Sequence, residues 1–153
     1  MDLESIEQIK QLKARYFRCL DTADFIGMKT VFADDCFIHY RSPSYDHKKQ
    51  GWDEIEAFLK ESFNTRRFGM HTGHHPEISV EGDHATGTWY LTDYFVSLDH
   101  DIQIEGSALY HDQYQRIDGV WKLVRSEYDR LFEQITPRRK DQLITACPIK
   151  GAD

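Results

Sequence analysis

The chain has 153 residues, 40% of them hydrophobic and 13% aromatic, enough for one domain around a single aromatic-rich core. A formal net charge of -7 leaves no basic face to neutralise phosphates, which argues against nucleic acid as a partner. No apolar run is long enough to span a bilayer, and Met-Asp-Leu-Glu-Ser at the N-terminus lacks the basic and apolar regions of a signal peptide.

Residues 4–21 read as an amphipathic helix. Ile6, Ile9, Leu12, Tyr16, Phe17 and Leu20 recur at three- and four-residue spacing, and lysines and glutamates fill the other face. Asp24 is placed to cap a short second helix with Phe25, Met28, Val31 and Phe32 on one side. Residues 36–40, with Phe-Ile-His-Tyr, read as a first strand. The polar segment 42–50 contains Pro43 and reads as a loop. A third helix is expected from Trp52 to about residue 64, with the stripe Trp52, Ile55, Phe58, Leu59 and Phe63.

Everything after Arg66 reads as antiparallel sheet. Short strands are expected over 70–74 and 77–80, and Glu81-Gly-Asp83 then turns the chain into a long strand. Another strand, 102–116, turns at Ile117-Asp-Gly119, a strong hairpin signal, and the last runs from 120 to about 132. Helices first and a curved sheet afterwards make an α+β fold, not an alternating βα one. The reading is one domain over 1–135 with a tail over 136–153, where Arg138-Arg139-Lys140 is a solvated turn. Cys19, Cys36 and Cys147 show no metal-type spacing and no disulfide framework, so reduced thiols in a cytoplasmic protein are expected.

Several polar residues do not suit a bland core. On the long strand Trp89, Leu91, Asp93 and Phe95 share one face, and Thr88, Tyr90, Thr92 and Tyr94 the other. An ionised Asp93 on that apolar face costs several kcal/mol unless it is paired or protonated. Arg130, read on one face with Val120, Val124, Tyr128 and Phe132, is a candidate partner. A plain Arg–Asp bridge and a functional pair remain equally open. Tyr16 lies on the buried helix stripe. Asp21 closes that helix at the end where the macrodipole disfavours negative charge, so it calls for a cationic or donor partner. Met70-His-Thr-Gly-His-His-Pro76 supplies one. His71 could reach a cavity as an acid or base, whereas His74 and His75 read as a polar strand end. Even with His39 added, these histidines match no zinc pattern, so no metal and no cofactor are expected. Glycine-rich phosphate loops, GxSxG elbows and CxxC pairs are absent from the sequence.

Helices followed by a curved sheet resemble the nuclear transport factor two superfamily, whose cone encloses a pocket. Ile9-Lys-Gln-Leu-Lys-Ala-Arg-Tyr-Phe-Arg-Cys-Leu-Asp21 resembles the first helix of its SnoaL-like dehydratases. Met70–Ile78, Ala85-Thr-Gly-Thr-Trp-Tyr-Leu-Thr-Asp93, Gly106-Ser-Ala-Leu-Tyr-His-Asp-Gln-Tyr114 and Tyr128-Asp-Arg130 continue the likeness. It is closest to bile acid 7α-dehydratase, from about residue 6 to 134, outside the segment 41–50 and the tail. The resemblance places active-site residues on Tyr16, Asp21, His71, Asp93 and Arg130. It implies a cone-shaped α+β barrel, a hydro-lyase acting without cofactor on a cyclic, steroid-like hydroxy-ketone, and a homotrimer or, failing that, a homodimer. Alternatives on the same scaffold are a ketosteroid-type isomerase, a polyketide cyclase or a non-catalytic ligand-binding domain. His71 would then be the base, oriented by Asp21, with Tyr16 as donor. Asp93 would either stay protonated and donate, or be held ionised by Arg130; both cannot hold.

Overall fold

In the computed structural model, which describes residues 1–147, Asp2 caps α1 (Leu3–Thr22) by accepting from the Ser5 amide at 3.0 Å. Ile9, Leu12, Tyr16, Phe17 and Leu20 form the buried stripe, as the spacing predicts. Lys13 departs from it: it was expected on the solvent face, yet only 1% of it is exposed. Its ammonium meets the buried carboxylate of Asp112 at 2.7 Å, a partner 99 residues away.

Asp24 caps α2 (Phe25–Lys29), accepting from the Gly27 amide. This helix is shorter than its apolar spacing suggests, because Phe32 already opens β1 (Phe32–Ser42). The expected loop after it is instead a hairpin arm, β2 (Tyr45–Gln50), in which Tyr45, His47 and Lys49 alternate with the exposed Asp46, Lys48 and Gln50. Its polar composition is that of a sheet edge, where charged side chains block further pairing. Next come α3 (Trp52–Ser62), β3 (Arg67–Glu81), β4 (His84–Ser97), β5 (Ile102–Ile117) and β6 (Val120–Pro137).

One six-stranded sheet results, in the order β2-β1-β6-β5-β4-β3. All neighbours are antiparallel except β1 and β6, which run parallel; here the expectation of a wholly antiparallel sheet fails. The last strand enters between the first hairpin and the β3–β5 meander, and that position sets its direction. At the β5–β6 hairpin Asp118 (φ 50°) and Gly119 (φ 80°) both adopt the left-handed conformation, the requirement of a two-residue type I′ turn.

Three bulges bend the long strands and decide which residues face the helices. The two short strands expected around His74 are one strand, β3, with an extra residue between His74 and Glu77. His75 sits there at φ 49°, beside a proline that cannot donate to the ladder. On β6 extra residues occur opposite Gln113/Tyr114 and opposite Ser107/Ala108, and the strand continues past residue 132 to Pro137, still paired with β5. The sheet curls around α1, which packs on β3 and β6, while α3 covers β1 and β2. Gly73 permits this approach, since a Cβ there would fall 2.1 Å from the Phe17 ring. Among the described residues no helix is long and apolar enough to cross a membrane.

Candidate active site

Between the helices and the concave face lies a cavity of about 230 Å³. Tyr16, Tyr40, Tyr110 and Leu91, all at most 4% exposed, make its floor. Partly exposed Tyr45, His47, Phe58, Phe63, Phe95 and Ile104 surround its mouth.

Strand register lines up the polar wall. His71 on β3 pairs with Asp93 on β4, Asp93 pairs with Gly106 on β5, and Gly106 pairs with Glu133 on β6. All four positions therefore lie in one row across the inner face. His71 Nδ1 lies 2.6 Å from Asp21 Oδ1, and the His71 amide donates to Asp21 Oδ2 at 3.1 Å. An ionised carboxylate only accepts, so Nδ1 carries the proton and Nε2 offers its lone pair to the cavity. The ring is wedged between Phe17, stacked at 6.2 Å between centroids, and Phe63, edge-on at 5.4 Å. Asp21 is absent from the cavity lining and acts on it through His71.

Arg130 reaches diagonally from β6 over Gly106, and its Nη1 donates to both Asp93 oxygens at 2.9 Å. A Cβ on residue 106 would sit 2.9 Å from Arg130 Nη2 and 2.0 Å from the Phe132 carbonyl oxygen, so glycine keeps this path open. Burial works against the Arg130 charge, but the Asp93 hydrogen bonds outweigh it and the guanidinium titrates above its ordinary range. The arrangement is an ion pair, and the competing reading of Asp93 as a neutral donor has no geometric support.

The five residues singled out in the sequence thus gather about one cavity. The face assigned to Arg130 needs correction, however. Tyr128 and Arg130 point inward, whereas Val120 and Phe132 are more than half exposed, because the bulges on β6 reverse the alternation.

Sequence reasoning missed most of the hydroxyls. Tyr16 Oη lies 2.6 Å from Tyr40 Oη and 3.4 Å from Tyr110 Oη, and Tyr45 bonds to Tyr128. Burial raises all five phenols above their ordinary range, so they stay protonated and able to donate. Behind the floor, Asp112 accepts from Lys13, Tyr114 and Ser126, each at 2.7 Å. Lys13 Nζ lies 3.6 Å from the centre of the Tyr110 ring, a cation–π contact. A signal for Asp112 existed: on the face Ala108, Tyr110, Asp112 and Tyr114 it is a lone carboxylate, just as Asp93 is on its own strand.

His39, His74 and His75 do not join His71. His39 bonds to Asp46 and Arg41, and His74 bonds to His75 and Thr92 and stacks on Tyr90. Among the described residues no group of three or more His, Cys, Asp or Glu side chains is arranged to hold a metal ion.

Residues 1–127 match the SnoaL-like domain family, and the chain belongs to it. Similar solved structures include hexachlorocyclohexane dehydrochlorinase LinA-type3 from Novosphingobium barchaimii, with a TM-score of 0.78 and 18% identity over 94% of this chain and 97% of that one. A candidate scytalone dehydratase from Novosphingobium aromaticivorans gives a TM-score of 0.75 and 19% identity, over 95% and 93%. ActVI-ORFA from Streptomyces coelicolor gives 0.68 and 25%, over 84% and 98%. These likenesses establish the cone-shaped α+β fold.

Proposed function

We propose that this protein is a cofactor-independent hydro-lyase acting on a cyclic, largely apolar hydroxy-ketone, with a steroid of the bile acid 7α-dehydratase type as the leading candidate. The observation that carries the reading is the His71–Asp21 pair, whose free nitrogen faces an apolar cavity floored by protonated tyrosines. Similar structures named as a dehydrochlorinase and a candidate dehydratase support an elimination. In this reaction Nε2 of His71 removes a proton made acidic by the ketone, and Asp21 stabilises the imidazolium that forms. Tyr16 and Tyr110 donate to the oxygen on which negative charge develops. Their mutual bond is long, at 3.4 Å, so a ligand oxygen competes well for a hydroxyl proton there. The double bond forms as the hydroxyl leaves, protonated by the imidazolium or by water at the mouth.

The cavity of about 230 Å³ lies just below the roughly 300–1,000 Å³ of drug-sized sites. Hence the reacting rings fill it and the rest of the substrate extends through the mouth. Free thiols at Cys19, Cys36 and Cys147 suit a reducing cytoplasm. Incubation with a 7-hydroxy-4-en-3-one steroid tests the proposal, with loss of water as the expected product, undiminished in excess chelator. A shifted double bond would make it an isomerase. Binding without turnover would end the lyase reading, and activity lost with removed zinc would end its metal independence.

A further inference from the structure

The wall around Arg130 carries more negative charge than the arginine neutralises. If β6 kept the alternation that points Tyr128 and Arg130 inward, residue 133 would face outward. The bulge at Leu131, where Ala108 pairs with Arg130 but Ser107 with Phe132, reverses the parity and turns Glu133 into the cavity. Glu133 Oε2 lies 3.3 Å from Arg130 Nε, and Oε1 accepts from the hydroxyls of Ser42 at 3.3 Å and Ser44 at 3.1 Å. The side chains of Arg130, Asp93 and Glu133 are only 3%, 11% and 12% exposed. Two carboxylates therefore share one guanidinium, and among the described residues no other lysine or arginine lines the cavity. Arg130 has little left to offer an anion. Its Nη1 is engaged by Asp93, and its Nε and Nη2, which have no hydrogen-bond partner of their own, expose no surface to a group entering the cavity.

We propose that Glu133 sets the charge selectivity of this cavity: together with Asp93 it makes the wall a receptor for a hydrogen-bond donor, an uncharged hydroxyl or an ammonium, and rejects a carboxylate, sulfate or phosphate at the reacting end. This deepens the reading above and rests on the cavity being the substrate site. It also fixes the pose, with the leaving hydroxyl against Asp93 and Glu133 and the ketone toward Tyr16 and Tyr110. An anionic group on the substrate is confined to the part beyond the mouth.

Equilibrium binding of three planar probes tests this without any turnover: 2-naphthol, 2-naphthoate and 2-naphthylmethylammonium, followed by calorimetry. A charge within about 4–6 Å shifts a charged partner's equilibrium by roughly 10- to 1,000-fold. The wild-type protein is expected to prefer 2-naphthol and the ammonium over 2-naphthoate by at least about tenfold. Glu133→Gln keeps the shape and should strengthen 2-naphthoate by at least about tenfold and weaken the ammonium comparably. Equal binding of 2-naphthol and 2-naphthoate to the wild type would overturn the proposal, and that ranking needs no variant to fold. An unaltered ranking in Glu133→Gln would overturn it too, as would failure of all three probes to bind at millimolar concentration. Loss of water from a steroid is a separate measurement, so the lyase reading can fail while the charge ranking stands.

Discussion

Six of the eight tyrosines have phenols pushed above their ordinary range by burial: Tyr16, Tyr40, Tyr45, Tyr110, Tyr114 and Tyr128. This predicts a steep alkaline unfolding. An acid whose folded value is raised contributes stability that is whole below its unfolded value, near 10, and is lost as pH rises toward the folded one. One pH unit above 10 the unfolded chain has released these protons and the folded chain still holds them. Each phenol then favours unfolding by up to about 1.4 kcal/mol, together up to about 8 kcal/mol. That is comparable with the whole stability of an ordinary domain, roughly 5–15 kcal/mol. The fold should therefore collapse cooperatively near pH 11, with tyrosinate absorbance rising at the same midpoint as helical circular dichroism falls. Tyr16→Phe, or Tyr40→Phe, should move that midpoint upward. Gradual ionisation near pH 10 with the circular dichroism intact would mean that the cavity floor admits solvent, and the donor role assigned to it would fall.

His71→Ala should lower turnover of the active substrate by about 10²–10⁴-fold while staying folded, and Asp21→Asn should also be severely impaired. If the two act as one unit, the double variant is little worse than His71→Ala; multiplicative losses would separate them, and full activity in folded His71→Ala would reject the base. Lys13→Met leaves Asp112 buried without its cation and should cost about 3–5 kcal/mol in chemical denaturation, less when combined with Asp112→Asn. A loss under about 1 kcal/mol would show that the pair is not buried in solution. The outer sheet face exposes Met70 at 60%, Tyr90 at 42% and Phe132 at 57%, which suits sheet-to-sheet association. A homotrimer, with a dimer as runner-up, is the expected state by light scattering; a monomer at micromolar concentration would refute both.

How much of this was legible depended on whether the cause was local. The stripes of α1 and α3, the cap at Asp24 and the Asp118–Gly119 turn are local, and periodicity and residue type expose them. The inner face of β4 was equally plain, because Trp89, Leu91, Asp93 and Phe95 keep strict alternation across an uninterrupted strand. β6 was not, since each bulge inserts one residue and inverts every assignment after it. Val120 and Phe132 were misplaced for that reason, and Glu133 was overlooked. Lys13 was misread because a helix face with one lysine among apolar residues looks solvated until its partner on a distant strand is known. The edge strand β2 was hidden by its composition, because edges are polar by necessity.

Asp93 and Asp112 present the same sequence signal, a lone carboxylate on an apolar strand face, and only their satisfaction separates them. An ionised carboxylate has about four lone-pair sites to fill. Asp112, 2% exposed, receives an ammonium and two hydroxyls, all at 2.7 Å, and nothing of it faces a cavity. It is a structural charge, and its three donors offset the cost of its burial. Asp93 receives a single arginine nitrogen, shared between its two oxygens, and it lines the cavity. The unfilled capacity points to where a ligand donor would stand, beside Glu133 and across the row from His71. A fold that buries two such carboxylates surrounds the one behind the floor with three donors and gives the one in the cavity wall a single nitrogen, and that difference separates a structural charge from a candidate site.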